Sequence, residues 1–189
     1  MLIDNDIQAC LHVLRTGGLI LYPTDTIWGI GCDATNEQAV AKIYALKNRN
    51  EEKSMIILLT EEKDILKYVD QDIVPVFDFI KGINKPVTMI YSGAKNLAPN
   101  LINKDGSVGI RLVTDRFCKK LIEQLGKPIV STSSNISGYP PPQLFQDIDV
   151  AIKNGVDYIV QYRQDDTEPS VPSTVVRVND DHSFTILRP

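Results

Sequence analysis

Histidine is nearly missing from this chain, with only His12 and His182 among 189 residues. Neither stands in a pattern of further ligands, which argues against a zinc site or a Ser-His-Asp triad as the source of any chemistry. Cysteine is scarce too. Cys10, Cys32 and Cys118 are odd in number, widely spaced and set among apolar neighbours, the mark of reduced, packed thiols rather than a disulfide frame or a metal site. Neither a GxxxxGKS/T loop nor a GxGxxG loop occurs, so the two commonest phosphate cradles are excluded. The longest strongly apolar run is Met55 to Leu59, far short of a membrane span. The opening MLIDNDIQ carries Asp4 and Asp6 and lacks the basic and apolar regions of a signal peptide. A cytoplasmic location without a membrane partner is the expectation. One tryptophan and a net charge of −4 speak against a surface that coats nucleic acid, while a local basic pocket stays open.

What is present is an ordinary core-forming composition, 43% hydrophobic and 23% charged, enough for one buried core. Ile7, Cys10, Leu11 and Leu14 fall on one face of a helix, which Gly17 and Gly18 end. Residues 19–22 read as a short buried strand stopped by Pro23. Thr35 and Gln38 fit a capping box for a helix running to about Leu46. Strands are expected at 55–59, near 87–91, at 107–113 and at 128–132. Helices are expected near 61–68, 72–81 and 143–153, and around Phe117, Leu121 and Leu125 up to Gly126. The segments YIVQY, STVVRV and FTILR complete the chain as strands. The mixture, without repeats or linkers, predicts one α/β domain over residues 1–189 with a mixed sheet.

Three polar strand ends and one basic loop stand out. ALKNRNEEKSM places Lys47, Arg49 and Lys53 between a helix end and a buried strand. Cations favour helix C-termini and loops are commonly charged, yet three cations on one short loop can also converge on a polyphosphate. YPTDTIWGIGCDA sets Thr24, Asp25 and Thr26 after a strand, followed by two glycines that permit tight turns. A hydroxyl-to-backbone turn is the plain reading of those threonines. PSTVVRV and STSSNISG bring Ser173, Thr174 and a run of hydroxyls at 131–134 to two further strand ends. Ligands in α/β sheets gather beyond strand ends, so these segments suggest one pocket. By the strand period of two, Ser131 and Ser133 share a face, and Thr132 and Ser134 point the other way.

In this order YPTDTIWGIGCDA, LKNRNEEKSMIILL, VGIRL, STSSNISG, VPSTVV and the terminal ILRP resemble the YrdC/Sua5 family over nearly the whole chain. The most specific element is the pairing of KxR (Lys47, Asn48, Arg49) with SxN (Ser133, Ser134, Asn135). The resemblance implies an L-threonylcarbamoyladenylate synthase, a nucleotidyltransferase joining L-threonine, bicarbonate and ATP for the t6A modification of tRNA. It implies an open, twisted sheet with flanking helices around a large basic cavity. It assigns Lys47 and Arg49 to catalysis, and Lys47, Arg49, Lys53, Ser133, Asn135 and Arg188 to ATP. Thr26, Arg111, Ser131 and Ser173 are similar to threonine-holding positions. Mg²⁺ would be held mainly by the ATP phosphates, and tRNA or the downstream transfer machinery would be partners. The chain departs from the family pattern at Asn50, Ser54 and Asn84-Lys85-Pro86-Val87-Thr88, and the second C-terminal domain of longer members is not expected here. A non-catalytic RNA-binding module of the same fold is the competing reading. A hydrogenase-maturation chemistry is a third, weakened because no CxxC pair occurs.

Overall fold

The computed structural model describes residues 2–48, 55–73, 85–179 and 181–189. Helix α1 (Leu2–Arg15) buries the stripe Ile7, Cys10, Leu11 and Leu14, and the chain leaves it through Gly17 at φ +75°. Strand β1 (Ile20–Tyr22) follows, then β2 (Gly29–Gly31), helix α2 (Glu37–Leu46) and β3 (Ile56–Leu59). After a 3-10 turn at Glu62–Lys67 come β4 (Val87–Tyr91), β5 (Val108–Leu112), α3 (Arg116–Leu125) and β6 (Ile129–Ser133). Helix α4 (Val150–Asn154), β7 (Tyr158–Ile159), β8 (Thr174–Val178) and β9 (Phe184–Arg188) end the described chain. Among the described residues, no helix is long and apolar enough to cross a membrane.

The described strands form one open mixed sheet in the order β7-β1-β2-β6-β3-β5-β4-β8-β9. Its pairs are antiparallel except β1 with β7, β3 with β5, and β4 with β8. Because side chains alternate along a strand, register decides which of them share a face. One row runs Arg111, Thr88, Val175, Arg188 across β5, β4, β8 and β9. The next runs Gly29 to Ser133, then Ser131, Ile56, Gly109 and Ile90. These rows bring the strand-borne candidates to one side of the sheet.

Several local expectations are corrected. The cap of α2 is Asn36, whose side chain accepts from the Ala39 amide at 3.1 Å. Thr35 instead donates its hydroxyl to Asp33 at 2.6 Å, so the predicted capping box does not form. The 61–68 helix is a 3-10 turn. The 143–153 helix is replaced by a 3-10 turn at Phe145–Asp147 and the short α4, because Asp149 caps a new start by accepting from the Ala151 amide. Most of the 72–81 segment lies outside the described residues.

The glycines of the 22–34 stretch also serve differently than their usual turn role suggests. Both lie in strand β2, where the need is for space. A Cβ on Gly31 would stand 2.7 Å from Tyr22 Cε1 and 2.7 Å from the Val130 carbonyl, closer than packed atoms tolerate. Gly31→Ala is therefore expected to destabilise the fold by about 1–3 kcal/mol through overpacking, as a lowered denaturant midpoint with an unchanged slope.

Candidate active site

A cavity of about 360 Å³ opens on that side of the sheet. Its wall includes Thr26, Arg111, Ser131, Ser133, Ser173 and Arg188, six of the ten residues singled out by sequence. Thr88, Gly109, Ile56 and Trp28 border it as well. Thr88, marked in the sequence only as the end of a segment that departs from the family pattern, stands directly opposite Arg111. Its hydroxyl lies 2.8 Å from that of Ser173, so the two hydroxyls orient each other. Gly109 leaves the floor open: a Cβ there would meet Ile56 Cγ2 at 2.9 Å.

The loop after β1 is tied into a compact turn. Thr24 Oγ1 accepts from the Thr26 amide at 3.0 Å and donates to the Ile27 carbonyl at 2.9 Å, with the Thr26 hydroxyl 3.0 Å away. The plain turn reading and the pocket reading both hold, since the same turn delivers Thr26 to the cavity wall. Arg163 braces the loop from outside by donating to the Thr24 carbonyl at 3.0 Å while pairing with Asp115 and Asp166.

Arg111 is almost wholly buried. One Nη2 faces Asp25 at 3.1 Å and Thr24 Oγ1 at 3.3 Å, while the buried Nε has no hydrogen-bond partner. Arg188, its row-mate, donates Nε and Nη2 to the Ser173 carbonyl at 3.0 and 2.8 Å. Desolvation at the wall and, after it, the positive charge of Arg111 hold the Arg188 guanidinium below the usual arginine range. Two guanidinium groups thus face one cavity, and a buried donor is left unfilled. Ser131 is backed by Tyr22, whose fully buried phenol is pushed up in pKa by burial above all and donates to the Val130 carbonyl at 3.2 Å.

The STSSNISG segment obeys alternation only in part. Ser131 and Ser133 border the cavity as expected, but Thr132 borders it too. The last pair of β6 with β3 is Ser131 with Ile56, whereas β2 pairs on to Ser133. Beyond Ser131 one flank of β6 is therefore unpaired among the described residues, and the cavity reaches around it. Ser134 is fully buried away from the cavity, its hydroxyl without a partner.

Lys47 does not line the cavity. Its side chain is fully buried, and its ammonium donates to the main-chain carbonyls of Ser133 and Asn135, the latter at 2.6 Å. The Ser137 amide returns a bond to the Lys47 carbonyl at 2.9 Å. These bonds tie together the two halves of the KxR and SxN pattern, with the C-terminus of α2 packed against the 133–137 loop. Asn135 also stands outside this cavity, on the wall of a neighbouring one, its amide donating to the carbonyls of Ile136 and Tyr139 at 3.0 and 2.6 Å. Arg49, Lys53, Asn50, Ser54 and Asn84 lie outside the described residues. Among the described residues, no cluster of three His, Cys, Asp or Glu side chains could hold a metal.

A family model named for Sua5, YciO and YrdC and described as "Telomere recombination" matches residues 12–189. The chain belongs to this family. A threonylcarbamoyl-AMP synthase of Pseudoalteromonas translucida is 36% identical over 138 residues, 71% of this chain and 74% of that protein. One of Photobacterium profundum is 30% identical over 190 positions, covering 97% and 98%. The crystal structure of P. abyssi Sua5 complexed with L-threonine superposes with a TM-score of 0.84 at 23% identity, covering 97% of this chain. This chain spans about half of that longer protein, 53% of its length. The structural likeness establishes the mixed α/β fold with its open sheet and flanking helices.

Replacing Lys47 by Met would leave the Ser133 and Asn135 carbonyls without that donor, at a cost of about 1–3 kcal/mol for each one left unsatisfied. The expected outcome is a lowered unfolding midpoint and faster amide exchange over residues 133–137, read by hydrogen-exchange mass spectrometry.

Proposed function

We propose that this protein is a threonylcarbamoyl-AMP synthase, an enzyme of the nucleotidyltransferase type that joins L-threonine, bicarbonate and ATP. The observation that carries the reading is the buried, partly unsatisfied guanidinium of Arg111 on the floor of a cavity walled by hydroxyls and a second arginine. Such a group wants an oxyanion, and a carboxylate can accept from guanidinium N–H groups. Thr26, Ser131 and Ser173 stand around it as small hydroxyl partners for an amino acid. Ser133 and Arg188 take the nucleotide side, with Asn135 shaping the loop behind Ser133. Arg49 and Lys53 are the proposed phosphate-binding cations.

The threonine ammonium gives up one proton, and the resulting amine attacks bicarbonate to give the carbamate and one water. A carbamate oxygen then displaces pyrophosphate from the α-phosphorus of ATP. The step asks for alignment and charge neutralisation rather than a protein nucleophile, which suits a cavity of guanidinium and hydroxyl groups. No carboxylate borders the cavity among the described residues, so Mg²⁺ is proposed to enter on the ATP phosphates, whose charge it neutralises. The product is proposed to pass to cytoplasmic machinery that installs t6A in tRNA.

Pyrophosphate release from ATP is expected to require both L-threonine and bicarbonate, and Arg49→Ala is expected to lower it by about two orders of magnitude or more. Arg111→Ala should raise the threonine KM by tenfold or more, an effect of about 1.4 kcal/mol upward. Turnover indifferent to threonine would refute the assignment.

A further inference from the structure

Asp25 is a buried carboxylate with no assigned task. It stands in the braced turn after β1, and its Oδ1 lies 3.1 Å from Arg111 Nη2, the two side chains 9% and 5% exposed. The pair is off-line for a hydrogen bond, so Asp25 Oδ1 keeps an unfilled acceptor site just as Arg111 Nε keeps an unfilled donor. On its Nη2 side the guanidinium is held by attraction to the Asp25 charge and by a hydrogen bond donated to Thr24 Oγ1 at 3.3 Å. Around Asp25 the turn itself is pinned. Arg163 donates to the Thr24 carbonyl, the Cys118 thiol donates to the Pro23 carbonyl at 3.4 Å, and Thr24 Oγ1 gathers three contacts from within the turn.

We infer that Asp25 is a positioning residue for substrate recognition: it holds Arg111 against the β1 turn so that the guanidinium keeps its place at the cavity wall, where it meets the carboxylate of the amino-acid substrate. This rests on the proposed synthase reading. Two effects of removing the carboxylate oppose each other. Losing a negative charge beside Arg111 would favour an incoming anion. Losing the anchor loosens a buried cation, which regains solvation by turning toward the water in the cavity that it already borders. There it fills the space the substrate carboxylate needs. Misplacement of a recognition group in a confined site outweighs the gain in local charge.

The test is steady-state pyrophosphate release by the full chain, varying threonine and ATP separately. Asp25→Asn keeps the side chain's shape and removes its charge. It is expected to raise the threonine KM by about tenfold, with the ATP KM and kcat within about threefold. A purely structural role would not produce that split. In an Arg111→Lys background the same substitution should have little further effect, because the two residues act as one unit. Should Asp25→Asn fail to fold, Asp25→Ser is read in the same assay. A threonine KM that stays level or falls would overturn the inference, as would parallel rises for threonine and ATP, or an undiminished effect in the Arg111→Lys background. Wild-type turnover that ignores threonine would instead remove the synthase reading, and this inference with it.

Discussion

The register of β5 between β3 and β4 is the constraint on which the site depends. Pairing Leu58 with Arg111 on one side and Thr88 with Arg111 on the other sets the guanidinium on the cavity face. A slip of one residue would turn Arg111 to the opposite face and put Ile110 or Leu112 in its place. The same register aligns Val175 and Arg188 behind Thr88, so that a residue from the last strand meets one from the middle of the chain. Apolar positions such as Ile57, Ile110 and Met89, all buried, lock that register by having no tolerable place on the other side.

Electrostatics inside the cavity follow from this placement. Arg111 lies too deep to be solvated by water alone, and the β1 turn supplies Asp25 and Thr24 to one edge of it. Arg188 is fixed by the Ser173 carbonyl instead and feels Arg111 as a like charge. Positive charge therefore concentrates where small hydroxyls provide the remaining contacts, a setting suited to oxyanions in a low-dielectric site. Lys47 contributes from below. By holding the Ser133 and Asn135 carbonyls it keeps the hydroxyl-rich end of β6 in one conformation. The cation of the KxR pattern thus braces the frame around the site.

Much of the architecture was legible from pattern alone. The stripe of α1, the buried strands at 56–59 and 87–91, the alternation of VGIRL and the glycine end of α3 all follow from spacing and side-chain chemistry. What spacing misread was short or shared between roles. Strand β2 has three residues, two of them glycine, and nothing local separates a glycine needed for a turn from one needed for close approach. Asn36 won the helix start from Thr35 because Asp33 engaged the threonine hydroxyl. The 143–153 stretch broke in two where Asp149 could cap a fresh turn.

The site divides along the same line. The sequence by itself determined the stock of groups: hydroxyls at strand ends, arginines on alternating strands, almost no histidine, and family motifs in their proper order. Only the tertiary structure decided their duties. It joined Thr88 to Ser173, set Asp25 against Arg111, carried Lys47 out of the cavity and brought Thr132 to its edge. The physical reason is that a side chain's partner is chosen by strand register and burial. Both arise from contacts between residues far apart in the chain, which no local pattern encodes.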